Sequence, residues 1–246
     1  GLSRLTGHDP TRGISSRGII GLRLNTSAST LLNGDYVQIM NGASLEISQN
    51  NLTYFLKFNS DFIRLDKNTK TFVNVEIIQG QKDEQSFTGS GLPLQSYNLI
   101  TKDPTDQFLV EVFVDGELWK LVDSIYDMNP GEKAAMVKTS VTGGLSVFFG
   151  TNQFGISPAL GSRIRVTYVK TRGASGNIGG KQIDMKFSDP GTDPSGEEVD
   201  LNEILSMNIT RNPMFGSDSE DPAFTRLIAP YASNSFVLAN PNNYIY

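Results

Sequence analysis

The chain has 246 residues, 38% hydrophobic and 19% charged, with 24 glycines and no cysteine, which suits one large β domain or two smaller ones. Without cysteine there is no disulfide scaffold, thiolate metal site or cysteine nucleophile. A net charge of -5 with no cluster of Lys and Arg argues against direct binding of nucleic acid, and no apolar run reaches the ~18 residues that span a bilayer.

Residues 1–16 are polar and irregular and read as an entry segment. The chain turns apolar over Arg17–Leu24, and short strands are expected over Tyr36–Met40 and Leu45–Ser48. The pairs Asn33-Gly34 and Asn41-Gly42 tolerate positive φ and mark turns. Leu52–Phe58 and Asp61–Leu65 form the next pair of strands. Thr71–Ile78 alternates, with Val73, Val75 and Ile77 on one face and Asn74 and Glu76 on the other. Phe108–Val114, Asp115-Gly116 and Glu117–Val122 predict a hairpin with a two-residue turn. Its register opposes Phe113 to Leu118 and Val112 to Trp119, the only tryptophan, which reads as a core anchor.

Ala134–Val141, Leu145–Phe149 and Arg163–Thr171 continue the series. In the last, Ile164, Val166 and Tyr168 share one face, and Arg163, Arg165 and Thr167 share the other, a solvated or interface surface with the solvated one favoured. Ser188–Glu198 reads as a loop rich in Pro, Gly and Asp, and Leu205–Thr210 as a strand. A helix is then expected. Ser219 or Asp221 can cap it, Pro222 suits its first turn, Phe224, Leu227, Ile228 and Tyr231 recur at helical spacing, and Pro230 kinks or ends it. The fold expected is mainly β, an antiparallel sandwich-like arrangement with hairpins and one short C-terminal helix. A central β domain would cover 17–211, divisible into two subdomains near 80–106, followed by a loop and helix over 212–246. Running from Gly1 to Tyr246, the sequence reads as part of a longer polypeptide with a further domain beyond the helix.

The sequence offers little to build an active site from. His8, the only histidine, lies in the irregular start, and a Ser-His-Asp relay, a His-rich zinc site or a His base would all depend on it. Ser175–Gln182 comes near a phosphate-binding loop, but Ser175 stands where its first glycine belongs and Gln182 where a Ser or Thr should hold Mg²⁺. Asp189, Asp193, Glu197 and Glu198 crowd one loop, and Asp218, Glu220 and Asp221 another. Neither has the spacing of the twelve-residue Ca²⁺ loop, so both read as solvated turns. No catalytic, cofactor-binding or metal residue is assigned, and a non-enzymatic protein is expected.

One segment is more specific. Gly144-Leu145-Ser146-Val147-Phe148-Phe149-Gly150 leads to Phe154-Gly155, Pro158 and Gly161-Ser162-Arg163-Ile164-Arg165-Val166-Thr167-Tyr168, and closes on Gly173-Ala174-Ser175-Gly176-Asn177-Ile178. This order of turns and strands resembles the central β domain of the baseplate J-like family, the baseplate-wedge proteins of contractile-tailed phages and related injection machines. Thr6-Gly7 with Pro10 through Gly18 is similar to the family's entry. Asn212-Pro213, Gly216, Asp218, Glu220 and Ala229-Pro230 are similar to its loop-to-helix passage, and Val114-Asp115-Gly116 with Trp119 to a hairpin of the larger wedge proteins. Thr151-Asn152-Gln153 departs from the family's single Gly-centred turn.

The resemblance implies a structural subunit of a virion's tail baseplate, assembled in the host cytoplasm. Its partners would be copies of itself and other baseplate-wedge and tail proteins, without cofactor, nucleic-acid contact or membrane insertion. Its work would be to hold the baseplate together and relay its rearrangement to sheath contraction. The alternative from a different class is a receptor- or carbohydrate-binding β domain of a tail or adhesin protein, which aromatic residues clustered on one exposed face would favour.

Overall fold

A computed structural model describes residues 11–140, 144–180 and 183–220. The strands are β1 (Arg17–Leu24), β2 (Tyr36–Met40), β3 (Ser44–Ile47), β4 (Leu52–Lys57), β5 (Phe62–Asp66), β6 (Val73–Gln79), β7 (Gln81–Thr88), β8 (Ser96–Leu99) and β9 (Thr105–Val114). There follow β10 (Glu117–Val122), β11 (Ala134–Thr139), β12 (Leu145–Phe149), β13 (Arg163–Lys170), β14 (Met185–Phe187), β15 (Gly191–Thr192), β16 (Glu198–Val199) and β17 (Leu205–Met214). The described residues also form two four-residue α-helices, α1 (Ala28–Leu31) and α2 (Leu201–Ile204), and 3-10 turns at Ile125–Asp127 and Gly173–Gly176. The protein is mainly β, as expected from the sequence.

The chain forms two nested units. A split unit is built from Ile14–Gln81 and Thr171–Ser217, and an inserted unit from Lys82–Lys170 with the described residues of 11–13 and 218–220. In the split unit a six-stranded sheet, ordered β14-β3-β4-β6-β1-β17, and a four-stranded sheet, ordered β16-β15-β2-β5, share one core. Alternate side chains from both sheets fill it: Ile20 and Leu22, Val37 and Ile39, Leu45 and Ile47, Tyr54 and Leu56, Val75 and Ile77. The alternation expected over Thr71–Ile78 is the reason β6 buries Val75 and Ile77 while Asn74 faces solvent.

In the inserted unit seven strands run in the order β7-β13-β9-β10-β11-β12-β8. From β13 through β9, β10, β11 and β12 to β8 neighbours pair antiparallel except β10 with β11, which run parallel over Lys120–Val122 and Ala134–Met136. The hairpin has the expected register: Phe113 opposes Leu118 and Val112 opposes Trp119. Asp115 (φ 51°) and Gly116 (φ 84°) both take the left-handed conformation that a turn matching strand twist requires. Trp119 is buried and sets its edge on Phe149, with ring centroids 5.5 Å apart. The sheet curls until its outer strands meet. Phe87 of β7 and Tyr97 of β8 stack at 5.0 Å, Tyr97 Oη donates to Thr88 O at 2.8 Å, and Gln85 Nε2 donates to Ile100 O at 2.9 Å. Side chains thus close what no ladder closes.

Some expectations need revision. Ser188–Glu198 is more than a loop, since it contains β15 and the first residue of β16. The strand expected over Leu205–Thr210 continues to Met214, and it tolerates Pro213 because β17 is an edge strand. Strands β7, β8 and β14 and both short α-helices are not legible in the sequence pattern. The helix expected through Phe224 and Tyr231 lies outside the described residues, as do His8, Lys181 and Gln182.

Candidate functional site

The glycine-rich close of the distinctive segment lies in a hydrogen-bonded polar cluster of the split unit. Gly173–Gly176 forms a single 3-10 turn, entered with Gly173 at φ 51°. Buried Gln79, at the end of β6, reaches it: its Oε1 accepts from Thr171 Oγ1 at 3.1 Å and from Arg172 N at 2.8 Å. Thr171 Oγ1 in turn accepts from Gly173 N at 3.0 Å. From β4, Tyr54 Oη donates to Gly176 O at 2.6 Å, while Asn50 Nδ2 donates to both Tyr54 Oη (2.9 Å) and Ser175 O (3.1 Å). Burial pushes the Tyr54 phenol up to about 12, against a smaller lowering by Asn50.

The turn also fastens the two outer lengths of the unit. Asn177 Nδ2 donates to Gly216 O at 2.9 Å and Gly216 N donates back to Asn177 Oδ1 at 2.8 Å. Gln79 N donates to Ser16 O at 2.8 Å. Space here is too small for side chains. A Cβ at Gly176 would lie 2.8 Å from Gln79 Cγ and 2.9 Å from Ser16 Cβ, and one at Gly216 would collide with Gly173 O. Four lengths of chain, around Ser16, Gln79, Gly173 and Gly216, therefore meet at close range. The hydroxyl of Ser16 is buried there with no hydrogen-bond partner among the described residues. The carbonyls of Ser175 and Gly176 accept from Asn50 and Tyr54, and Gly173 N, Ser175 N and Asn177 N donate to Thr171 Oγ1, Arg172 O and Ala174 O, so the turn works as a clasp.

The earlier half of the segment plays a similar part in the inserted unit. A Cβ at Gly150 would strike Phe154 O, and Gly155 (φ 65°) passes Met128 Sδ so closely that a Cβ would lie 2.8 Å from it. The departure at Thr151-Asn152-Gln153 is accommodated locally. Asn152 takes φ 68°, Thr151 Oγ1 accepts from Phe154 N at 3.0 Å, and Asn152 Oδ1 accepts from Ser157 N at 2.8 Å. Nearby, buried Gln95 ties two loops, β7–β8 and β12–β13: its Nε2 donates to Ser157 Oγ at 2.6 Å and Pro158 O at 2.8 Å, and its Oε1 accepts from Ser90 N at 2.9 Å.

In the first acidic loop Asp193 caps its own turn, and Asp189 binds Ser44 far away in sequence. Asp193 Oδ1 accepts from Ser195 N, Ser195 Oγ and Glu197 N at 2.8, 2.6 and 3.0 Å, and these bonds, led by the Ser195 hydroxyl, hold its carboxyl below the usual range. Asp189 Oδ2 accepts from Ser44 N and Oγ at 2.7 and 2.6 Å. Among the described residues no group of three or more His, Asp or Glu is placed to hold a metal ion. On the arginine face of β13, Arg163 is exposed, whereas Arg165 lies over the Phe113 ring at 4.2 Å and meets Glu84 at 3.1 Å. No described helix is long and apolar enough to cross a membrane.

No protein-family model matches the chain, and no curated protein matches its sequence.

Proposed function

We propose that the chain is a structural subunit of the baseplate wedge of a contractile phage tail or related injection machine. One observation carries this reading: the order of glycines and aromatics from Gly144 to Gly180, which resembles the baseplate J-like phrase. The geometry supports it to this extent, that Gly150, Gly155 and Gly176 stand where a side chain would collide, so the phrase specifies backbone packing. On this reading the working chemistry is interface burial, and obligate assemblies of this kind bury over ~2,000 Å². The wedge would hold its neighbours in place and relay their rearrangement to sheath contraction.

The test is reconstitution. The full-length protein, mixed with the other tail proteins of its own particle, is expected to co-sediment with them and to give wedge- or ring-shaped complexes in negative-stain microscopy. A protein that stays apart from every tail component refutes the reading.

A second reading, a receptor- or carbohydrate-binding domain, is favoured by one feature. On the outer face of β2 and β5, Arg64 lies over the rings of Tyr36 (4.6 Å) and Phe62 (5.5 Å), and Gln38 Oε1, with its amide turned to satisfy the network, accepts from Arg64 Nη2 and Nε at 3.1 Å each. Glycan-array binding that disappears in Arg64→Ala would favour it over the first.

A further inference from the structure

The chain holds two Asn-Gly pairs, Asn33-Gly34 and Asn41-Gly42, and the fold treats them differently. Asparagine is among the residues that degrade chemically, and a following glycine favours the reaction because it has no Cβ to obstruct it. Two groups must be at liberty. The next residue's N–H has to lose its proton and become a nucleophile, and the side-chain amide has to turn its carbon towards that nitrogen. A hydrogen bond on either group holds it back, since the bond must open before the reaction starts.

At Asn41-Gly42, in the turn between β2 and β3, both groups are held. Gly42 N donates to Leu56 O at 2.9 Å, and Asn41 Oδ1 accepts from Phe58 N at 3.2 Å. Asn41 N also donates to Asp61 O at 2.8 Å, and both residues are half-buried. Asn33-Gly34 lies in the irregular passage between α1 and β2, with both residues exposed. Among the described residues, neither Gly34 N nor the Asn33 side chain forms a hydrogen bond.

We propose that Asn33 is a site of spontaneous deamidation and that the fold protects Asn41 from the same reaction. Hydroxide takes the proton of Gly34 N, and the nitrogen attacks Asn33 Cγ. The bond from Cγ to Nδ2 breaks, Nδ2 leaves as ammonia with a proton from water, and the hydroxide is returned. A succinimide ring now joins Cγ to the Gly34 nitrogen. Water opens the ring at one of its two carbonyls, leaving aspartate or isoaspartate, in which the main chain runs through the side-chain carbons. Either product sets a new carboxylate close to Asp35. Isoaspartate also lengthens the main chain just before Gly34, which takes φ 113° and packs so near Pro194, in the β15–β16 turn, that a Cβ would lie 2.5 Å from its Cγ.

Peptide mapping tests the proposal. The folded chain is held at mildly alkaline pH and sampled over days, and digestion with chymotrypsin, which cuts after Tyr36, separates the two pairs. Mass spectrometry then reads the exchange of NH2 for OH at each. Asn33 is expected to convert about tenfold faster than Asn41, or more, because only Asn41 must wait for its bonds to open. In concentrated urea, where those bonds are gone, the two rates should converge. Equal rates in the folded chain, or a faster Asn41, overturn the proposal. So does a difference that persists unchanged in urea, because the fold would then not be its cause.

Discussion

Asn177 and Gly216 exchange two hydrogen bonds, Nδ2 to O at 2.9 Å and N to Oδ1 at 2.8 Å, so a side-chain amide stands in for the strand that this stretch of backbone lacks. Asn177→Ala removes both bonds. Because the site is open to water, the lost groups can be solvated, and the expected loss is about 0.5–1.5 kcal/mol per bond at most. Asn177→Asp keeps the acceptor but faces a carboxylate to Gly216 O, and should be the worse of the two. Urea midpoints of both variants check the order.

The glycines make a sharper comparison. Gly176→Ala and Gly216→Ala place a methyl group where Gln79, Ser16 and the Gly173 carbonyl already are, and each should cost about 1–3 kcal/mol or more as an overpacked site. Gly179→Ala meets nothing within 4 Å and should be close to neutral. If chemical denaturation found all three equal, close packing would not be what the glycine phrase encodes.

Trp119 is the only tryptophan, and it belongs to the inserted unit's core. Its emission therefore reports on that unit. Trp119→Ala removes an indole packed edge-on against Phe149 and should cost about 3–5 kcal/mol. Thermal unfolding followed by circular dichroism measures the loss.

Tyr54 gives stability an alkaline limit. Its phenol titrates at about 12 in the fold against the ordinary 10.0. Below pH 10 both folded and unfolded chains hold the proton and stability is unaffected. From pH 10 towards 12 only the unfolded chain releases it, so stability falls, by on the order of 3 kcal/mol at the end of that window. Tyr54→Phe should flatten this decline, while costing about 1 kcal/mol at neutral pH through the lost bond to Gly176 O. Urea unfolding at pH 8 and pH 11 for both proteins gives the comparison.

What the sequence made legible is what neighbouring residues decide. Asp115-Gly116 needs two left-handed residues, which fixes the turn, and the turn fixes that Val112 meets Trp119. The alternation Ile164, Val166, Tyr168 likewise declares its own inner face. β7 is different. Gln81–Thr88 has no apolar face of its own and is a strand because β13 pairs with it. α1 and α2 are single turns, too short to show a period. The clasp was half legible. Gly173-Ala174-Ser175-Gly176-Asn177 reads as a turn, but what the turn approaches, Ser16, Gln79 and Gly216, comes from distant parts of the chain. Only the folded arrangement reveals why Gly176 has no room for a methyl group.

The nesting of one unit within the other also sets a timetable for synthesis. β1 pairs with β6 on one side and with β17 on the other, so the sheet begun at Arg17 is completed only when Leu205–Met214 has left the ribosome. At roughly 5–20 residues per second that interval lasts on the order of ten to forty seconds. Lys82–Lys170, contiguous and made in between, holds all the core residues of its own unit and can condense first. The emerging chain can thus carry a condensed inserted unit while the split unit still waits for its last strand.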